Sequence, residues 1–129
     1  MKIENIKFKA KRLDNGEWII GSFVVMKIPA LSKTTIGIVA AGGATLHEIV
    51  PSTVCQFTGL KDCKGKELFE NDLIHFVGHK PIGKVIWSEE NYAFMVASGN
   101  EPLYWLSDVL EIGKIEIVGN KFDRKEGEK

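Results

Sequence analysis

Four residues could in combination bind a metal: Cys55, Cys63, His75 and His79, spaced C-x7-C-x11-H-x3-H. Thiolates and imidazoles are the ligands of tetrahedral zinc, but zinc knuckles hold their cysteines in a short C-x2–4-C spacing. Here the first spacing is too long. His75 also falls in a run that alternates like a β-strand, where no helix brings it onto one face with His79. The expectation is a small buried thiol, exposed histidines, and neither metal nor other cofactor.

The carboxylates Glu67, Glu70 and Asp72 crowd one turn and could do acid–base work or hold a cation. No nucleophile–base pair accompanies them, and Ser22, Ser88 and Ser107 lack the setting of a nucleophile elbow. No catalytic residue is assigned. A cryptic hydrolase, the alternative in that class, would need a pocket joining Asp72 or Glu70 to a histidine.

The lysines offer a different chemistry. Lys7, Lys9 and Lys11 alternate along one strand face about 7 Å apart, and Lys61, Lys64 and Lys66 crowd one loop. With Trp87, Tyr92 and Trp105 available to stack on bases, these two groups form a candidate surface for single-stranded nucleic acid. Against it, edge strands carry lysine to prevent unwanted pairing, and aromatics are natural core residues. Seventeen basic residues also balance seventeen acidic ones, so bulk phosphate neutralisation is not the main task. Nucleic acid therefore ranks behind an unknown protein partner or self-association.

The elements that must position these groups read as strands. At 129 residues the chain suits one compact domain, or a small barrel with an added β-layer. Ile6, Phe8 and Ala10 take one face of an opening strand and the lysines the other. Asn15-Gly16 signals a type I′ hairpin, and the return strand runs from Trp18 through Ile28. Gly21 inside it marks a bulge or a close backbone approach. "PALSKTT" reads as a loop and "IGIVAA" as a short strand, while "AGGAT" lacks the Gly-Lys-Ser/Thr ending of a phosphate loop. "TVCQFTG", "DLIHFVG", "GKVIWS", "NYAFMVA" and "GKIEIVG" are further short strands. Helix is confined to a turn at "ELFEN" and another within "LYWLSDVLE". No charged region followed by an apolar core opens the chain, and no apolar run approaches the roughly 20 residues of a membrane span. A cytoplasmic, reduced protein without a membrane role is expected.

The carboxylate-rich turn is best explained as a corner of this β-fold. Asp62 can bond backbone amides, and Gly65 supplies a permissive dihedral. "ELFEN" can make one helical turn with Leu68 and Phe69 inward. Asn71 tolerates the positive φ of a reversal, and Asp72 can bond amides where the next strand begins. The stretch "VPSTVCQFTGLKDCKGKELFENDLIHF" resembles the signature of the YopX-like family of bacteriophage and prophage proteins. Gln56, Phe57, Thr58, Gly59, Leu60, Asp62, Gly65, Lys66, Glu67, Phe69, Glu70 and Asp72 stand at matching positions. Phe8, Ala10, Trp18 and Gly21 match the opening hairpin, and "GKVIWSEE" and "IEIVGNKF" complete the pattern. Residues 27–48 match least well. Asn71 stands where the family usually has glycine, in keeping with a position that needs positive φ. The resemblance implies a mainly β protein of phage or prophage origin, with little helix and an SH3-like barrel in its C-terminal half. It brings no catalytic residues. The organisation expected is a β-hairpin or meander region over 1–50, the barrel region over 51–122, and a frayed charged tail over 123–129. The function expected is non-catalytic binding or assembly, oligomeric through an exposed strand edge.

Overall fold

The computed structural model describes residues 2–78, 83–98 and 101–123, with backbone alone at 101–103. Eleven strands in two antiparallel sheets and a single α-helix make these residues mainly β. Among them no helix is long and apolar enough to cross a membrane. The chain forms two compact units, 1–57 and 58–129. The expected tail falls almost wholly outside the described residues.

The first unit is built from β1 (Phe8–Lys11), β2 (Trp18–Ile28), β3 (Lys33–Ala40), β4 (Leu46–Glu48) and the start of β5 (Cys55–Lys61). They lie in the order β4-β3-β2-β1-β5. Ala10, Ile38 and Ile49 are its buried centre, with Phe8, Ile19, Ile36 and Val54 packed around them. Ile6 departs from its expected place. A 3-10 turn at Ile3–Asn5 delays the strand to Phe8, leaving Ile6 exposed.

The first hairpin also differs from a two-residue type I′ turn. Only Gly16 takes positive φ, while the Asn15 side chain accepts the Glu17 amide. The loop is closed one step further out, where Arg12 N–H donates to Glu17 O. The local side-chain bond competes with the tighter turn and wins. Beyond it, the "PALSKTT" loop is shorter than expected. A 3-10 turn at Pro29–Leu31 and left-handed Ser32 reverse the chain, and β3 resumes at Lys33.

In the second unit β6 (Glu67–Phe69) follows β5 in the first sheet. β7 (Asp72–Phe76), β8 (Gly83–Ser88), β9 (Ala93–Ser98), β10 (Glu101–Trp105) and β11 (Ile115–Asn120) form the second, in the order β10-β9-β8-β7-β11. The sheet is open among the described residues, with β10 and β11 at its ends. Helix α1 (Leu106–Ile112) sits between those two strands in sequence. Its Leu106 and Val109, three apart and so on one face, join Leu68, Ile74, Val85, Val96 and Ile115 in the core.

Two expectations fail here. "ELFEN" is not a helical turn, because Glu67–Phe69 extends as β6 and Thr58 Oγ donates to Leu68 O across the hairpin. Nor are the aromatics the core: Trp87, Tyr92 and Trp105 are exposed, and aliphatic side chains fill the interior. Trp87 stands edge-on to Phe94 at 5.1 Å, and Phe94 packs against that aliphatic core, so these rings border the interior instead of filling it.

Gly21 resolves the choice between bulge and close approach. The β2–β3 register runs through Gly21↔Ala40 without a break. A Cβ there would stand 2.0 Å from Val39 O. Gly21→Ala is expected to destabilise the protein by about 1–3 kcal/mol through backbone overpacking, read as a lower midpoint in urea.

Candidate functional site

The corner at 62–72 is built around two buried carboxylates, and both are occupied by backbone or amide groups. Asp62 Oδ1 accepts the amides of Lys64 at 2.9 Å and Lys66 at 2.8 Å, and Oδ2 accepts that of Ile117 at 3.1 Å. Two of these bonds shape its own turn and the third reaches β11. Gly65 completes that turn at φ +83°, with Asp62 N–H donating back to Lys66 O. Burial pushes the Asp62 carboxyl up. The three amides, helped by the Lys66 charge, outweigh burial and hold it below its ordinary value.

Asp72 serves the other end of β6. Its Oδ2 accepts the Phe69 amide at 2.8 Å and its Oδ1 the Asn120 side-chain amide at 2.9 Å. Between them Asn71 stands at φ +71°. Its N–H donates to Val85 O at 2.7 Å and its carbonyl accepts from Lys121 N–H at 2.9 Å. The Asn120 amide also donates to Glu70 O, and its Oδ1 accepts the Phe122 amide. Asn120 is therefore the residue that sequence reasoning missed. An amide at the end of an alternating strand carries no local signal of a partner 48 positions away.

The metal-type residues lie apart from this network or outside the description. The buried Cys55 thiol donates to Thr53 O, while Cys63 is exposed and its amide donates to Ile115 O. His75 Nε2 is 3.3 Å from Glu116 Oε1, and Lys64 pairs with the same carboxylate. The Lys64 ammonium first, then the His75 ring, hold the Glu116 carboxyl below its ordinary value. His79 lies outside the described residues. No group of three or more His, Cys, Asp or Glu among the described residues could hold a metal ion.

These contacts all fall in or against the stretch that matched a family signature. A family model described as YopX protein matches residues 6–126. The chain belongs to the YopX family. No curated protein matches it. In this YopX-family chain the signature residues Thr58, Asp62, Gly65 and Asp72 make turns and inter-strand ties.

The lysines divide between the two units. Lys9 and Lys11 in β1 and Lys7 just before it are half-buried, each with its ammonium group over an aromatic ring. Lys7 Nζ stands 4.8 Å from the Phe57 ring centre, and Lys9 and Lys11 stand 4.5 and 5.4 Å from that of Trp18. Lys61, Lys64 and Lys66 are exposed in the second unit, with Lys64 engaged by Glu116. Of the serines, Ser88 is buried and accepts from the Asn91 side chain, whereas Ser22 and Ser107 are exposed.

Two outcomes are expected from the corner. Asn71→Gly should melt at or slightly above the parent temperature. Asn71→Val, β-branched at positive φ, should cost about 1–3 kcal/mol. Equal melting temperatures would show that the dihedral does not govern the corner. For Asp62, a depressed folded-state pKa adds stability that is complete above the unfolded value, near 3.8, and is lost as pH falls through the folded one. Asp62→Asn should cost about 1–3 kcal/mol at neutral pH, since the NH2 that replaces one carboxylate oxygen cannot accept an amide. It should also flatten the loss of stability below the ordinary aspartate range, measured by urea titration at stepped pH.

Proposed function

We propose that this YopX-family chain is a non-catalytic binding or assembly module, cytoplasmic and of phage or prophage origin, working through the β2–β3 arm. The observation that carries the proposal is the character of that arm. Beyond Gly21 the two strands run on past β1, and β4 pairs only with Gly37–Val39. Phe23, Val25, Met26 and Leu31 are left 37, 52, 44 and 68% exposed. A run of apolar side chains on a projecting hairpin is the mark of an interaction surface. Support for absence of catalysis comes from the carboxylates themselves: Asp62 and Asp72 spend their oxygens on backbone amides and Asn120, so neither is poised to move a proton.

The phage origin rests on the family resemblance. An SH3-like barrel for the second unit is supported by strand order. A meander β7-β8-β9-β10, then a short helix, then β11 returning beside β7, is the path of such a barrel laid open.

Nucleic-acid binding is the second reading, favoured by one observation, the shared face of Lys7, Lys9 and Lys11 beside Phe57 and Trp18. Ammonium groups already seated on rings have less to gain from phosphate, so it ranks below assembly.

One experiment separates them. A variant with Val25–Ile36 replaced by Asn-Gly keeps the facing pair Val24 and Gly37 and removes the arm. Light scattering should find self-association in the parent and none in the variant. Single-stranded oligonucleotide should bind weakly, with no loss when Lys7, Lys9 and Lys11 are changed to Gln. A log–log salt slope of about −2 that collapses in that triple variant would favour nucleic acid instead.

A further inference from the structure

Resting on the assembly reading, we infer that the arm is closed by a second copy of this chain, β2 against β2, antiparallel and centred on Val25. Strand β1 covers β2 only from Trp18 to Gly21. From Ser22 to Ile28 that side has no strand against it among the described residues. Natural sheets blunt such edges with proline, charge or a bulge. The sequence here is Ser-Phe-Val-Val-Met-Lys-Ile, with one charge, no proline and an unbroken register to β3.

Backbone alternation fixes which groups the edge offers. Arg12 N–H donates to Glu17 O at 2.8 Å, so Arg12 and Glu17 face each other as a hydrogen-bonded pair. Such pairs recur every second residue, which makes Ala10/Ile19 and Phe8/Gly21 the next two. Carried onward, the same phase turns the N–H and C=O of Phe23, Val25 and Lys27 to the open side. Strand β3 agrees: Ile36, which faces Val25, turns its carbonyl away to accept Ile49 N–H.

A two-fold axis normal to the sheet keeps every side chain on its own face, so one residue must face its own copy. Centring on Val24 would bring Lys27 against Gly21, whose backbone Phe8 already takes. Centring on Met26 would bring Phe23 against Pro29, which has no N–H. Centring on Val25 pairs Val25 with itself and Phe23 with Lys27 twice, and no outward group is left over. The same register places the edge's one charge across from an aromatic ring. The sheet already contains that pairing, because Lys11 stands over Trp18, its cross-strand partner, and Lys7 over Phe57. No like charges oppose each other. A seven-residue edge is small beside a standard interface, so the dimer forms on the order of micromolar concentration.

Sedimentation velocity on the full chain from about 1 to 200 µM tests this. Val25→Pro deletes the central outward N–H, which the β2–β3 ladder does not use. Val25→Lys sets two ammonium groups across the axis while leaving an exposed position exposed. The parent should dimerise with concentration. Both variants should dissociate about tenfold or more readily, at melting temperatures near the parent's. Should Val25→Pro not fold, Val25→Lys decides alone. Dimers that persist in Val25→Lys yet vanish when the arm is removed would overturn this register and leave the assembly reading standing. A parent that stays monomeric throughout would overturn self-association altogether. The same holds if the monomer instead binds anionic vesicles or an unrelated polypeptide through the arm.

Discussion

The second unit depends on two buried aspartate side chains doing the work of backbone. Strand β6 is only Glu67–Phe69, too short to be held by its own ladder. Asp62 fastens the turn before it to β11, and Asp72 fastens its last amide and reaches Asn120 at the far end of that same strand. Both carboxylates are buried, and burial of an unpartnered charge would be prohibitive. Here each gains amide donors whose own hydrogen bonds would otherwise be missing. Charge-assisted bonds of this type are stronger than neutral ones, and they lock strands far apart in sequence into one arrangement. Leu68 and Phe69 can then both be buried although neighbours on a strand point to opposite faces.

This explains how much of the molecule was legible in its sequence. Strand existence followed from β-prone runs next to turn residues, as β2 at Trp18–Ile28 shows. The positive φ of Asn71 could be anticipated because the demand is local: a reversal needs a residue that tolerates the left-handed region. What escaped was everything set by distant partners. Propensity alone suggested a helical turn at "ELFEN", and the bonds from Thr58 and Asp72 overrode it. Asn120 could not be assigned without knowing that β11 ends beside the corner. The exposed Trp87 and Trp105 escaped for another reason, since hydrophobicity alone does not say which apolar side chains the interior has room for.

The same distinction between local and distant control bears on the lysines. The sequence placed Lys7, Lys9 and Lys11 on one face by alternation, and all three do meet rings on the face they share with Trp18 and Phe57. It could not say that those rings would be there, because Phe57 arrives from β5 and Trp18 from β2. A stripe that looks like a phosphate track in one dimension is, in three, a row of half-buried lysines whose ammonium groups sit over aromatic rings. The charges remain, but each already faces a ring.

The family signature and the proposed working surface thus occupy different parts of the chain. Signature residues such as Asp62, Gly65 and Asp72 are consumed in making the corner. The arm shows the opposite balance. Met26–Thr35 adds little to the buried centre of the first unit, which is Ala10, Ile38 and Ile49. Nothing in the folding of that unit demands Val25, Met26 or Leu31 on the outside, and exposing them works against solubility. Side chains that cost the monomer something and give its core nothing are accounted for by what they meet elsewhere. A surface whose partner is a second copy of the same chain need match only itself, so an arm that the corner and the core do not require is free to serve as one.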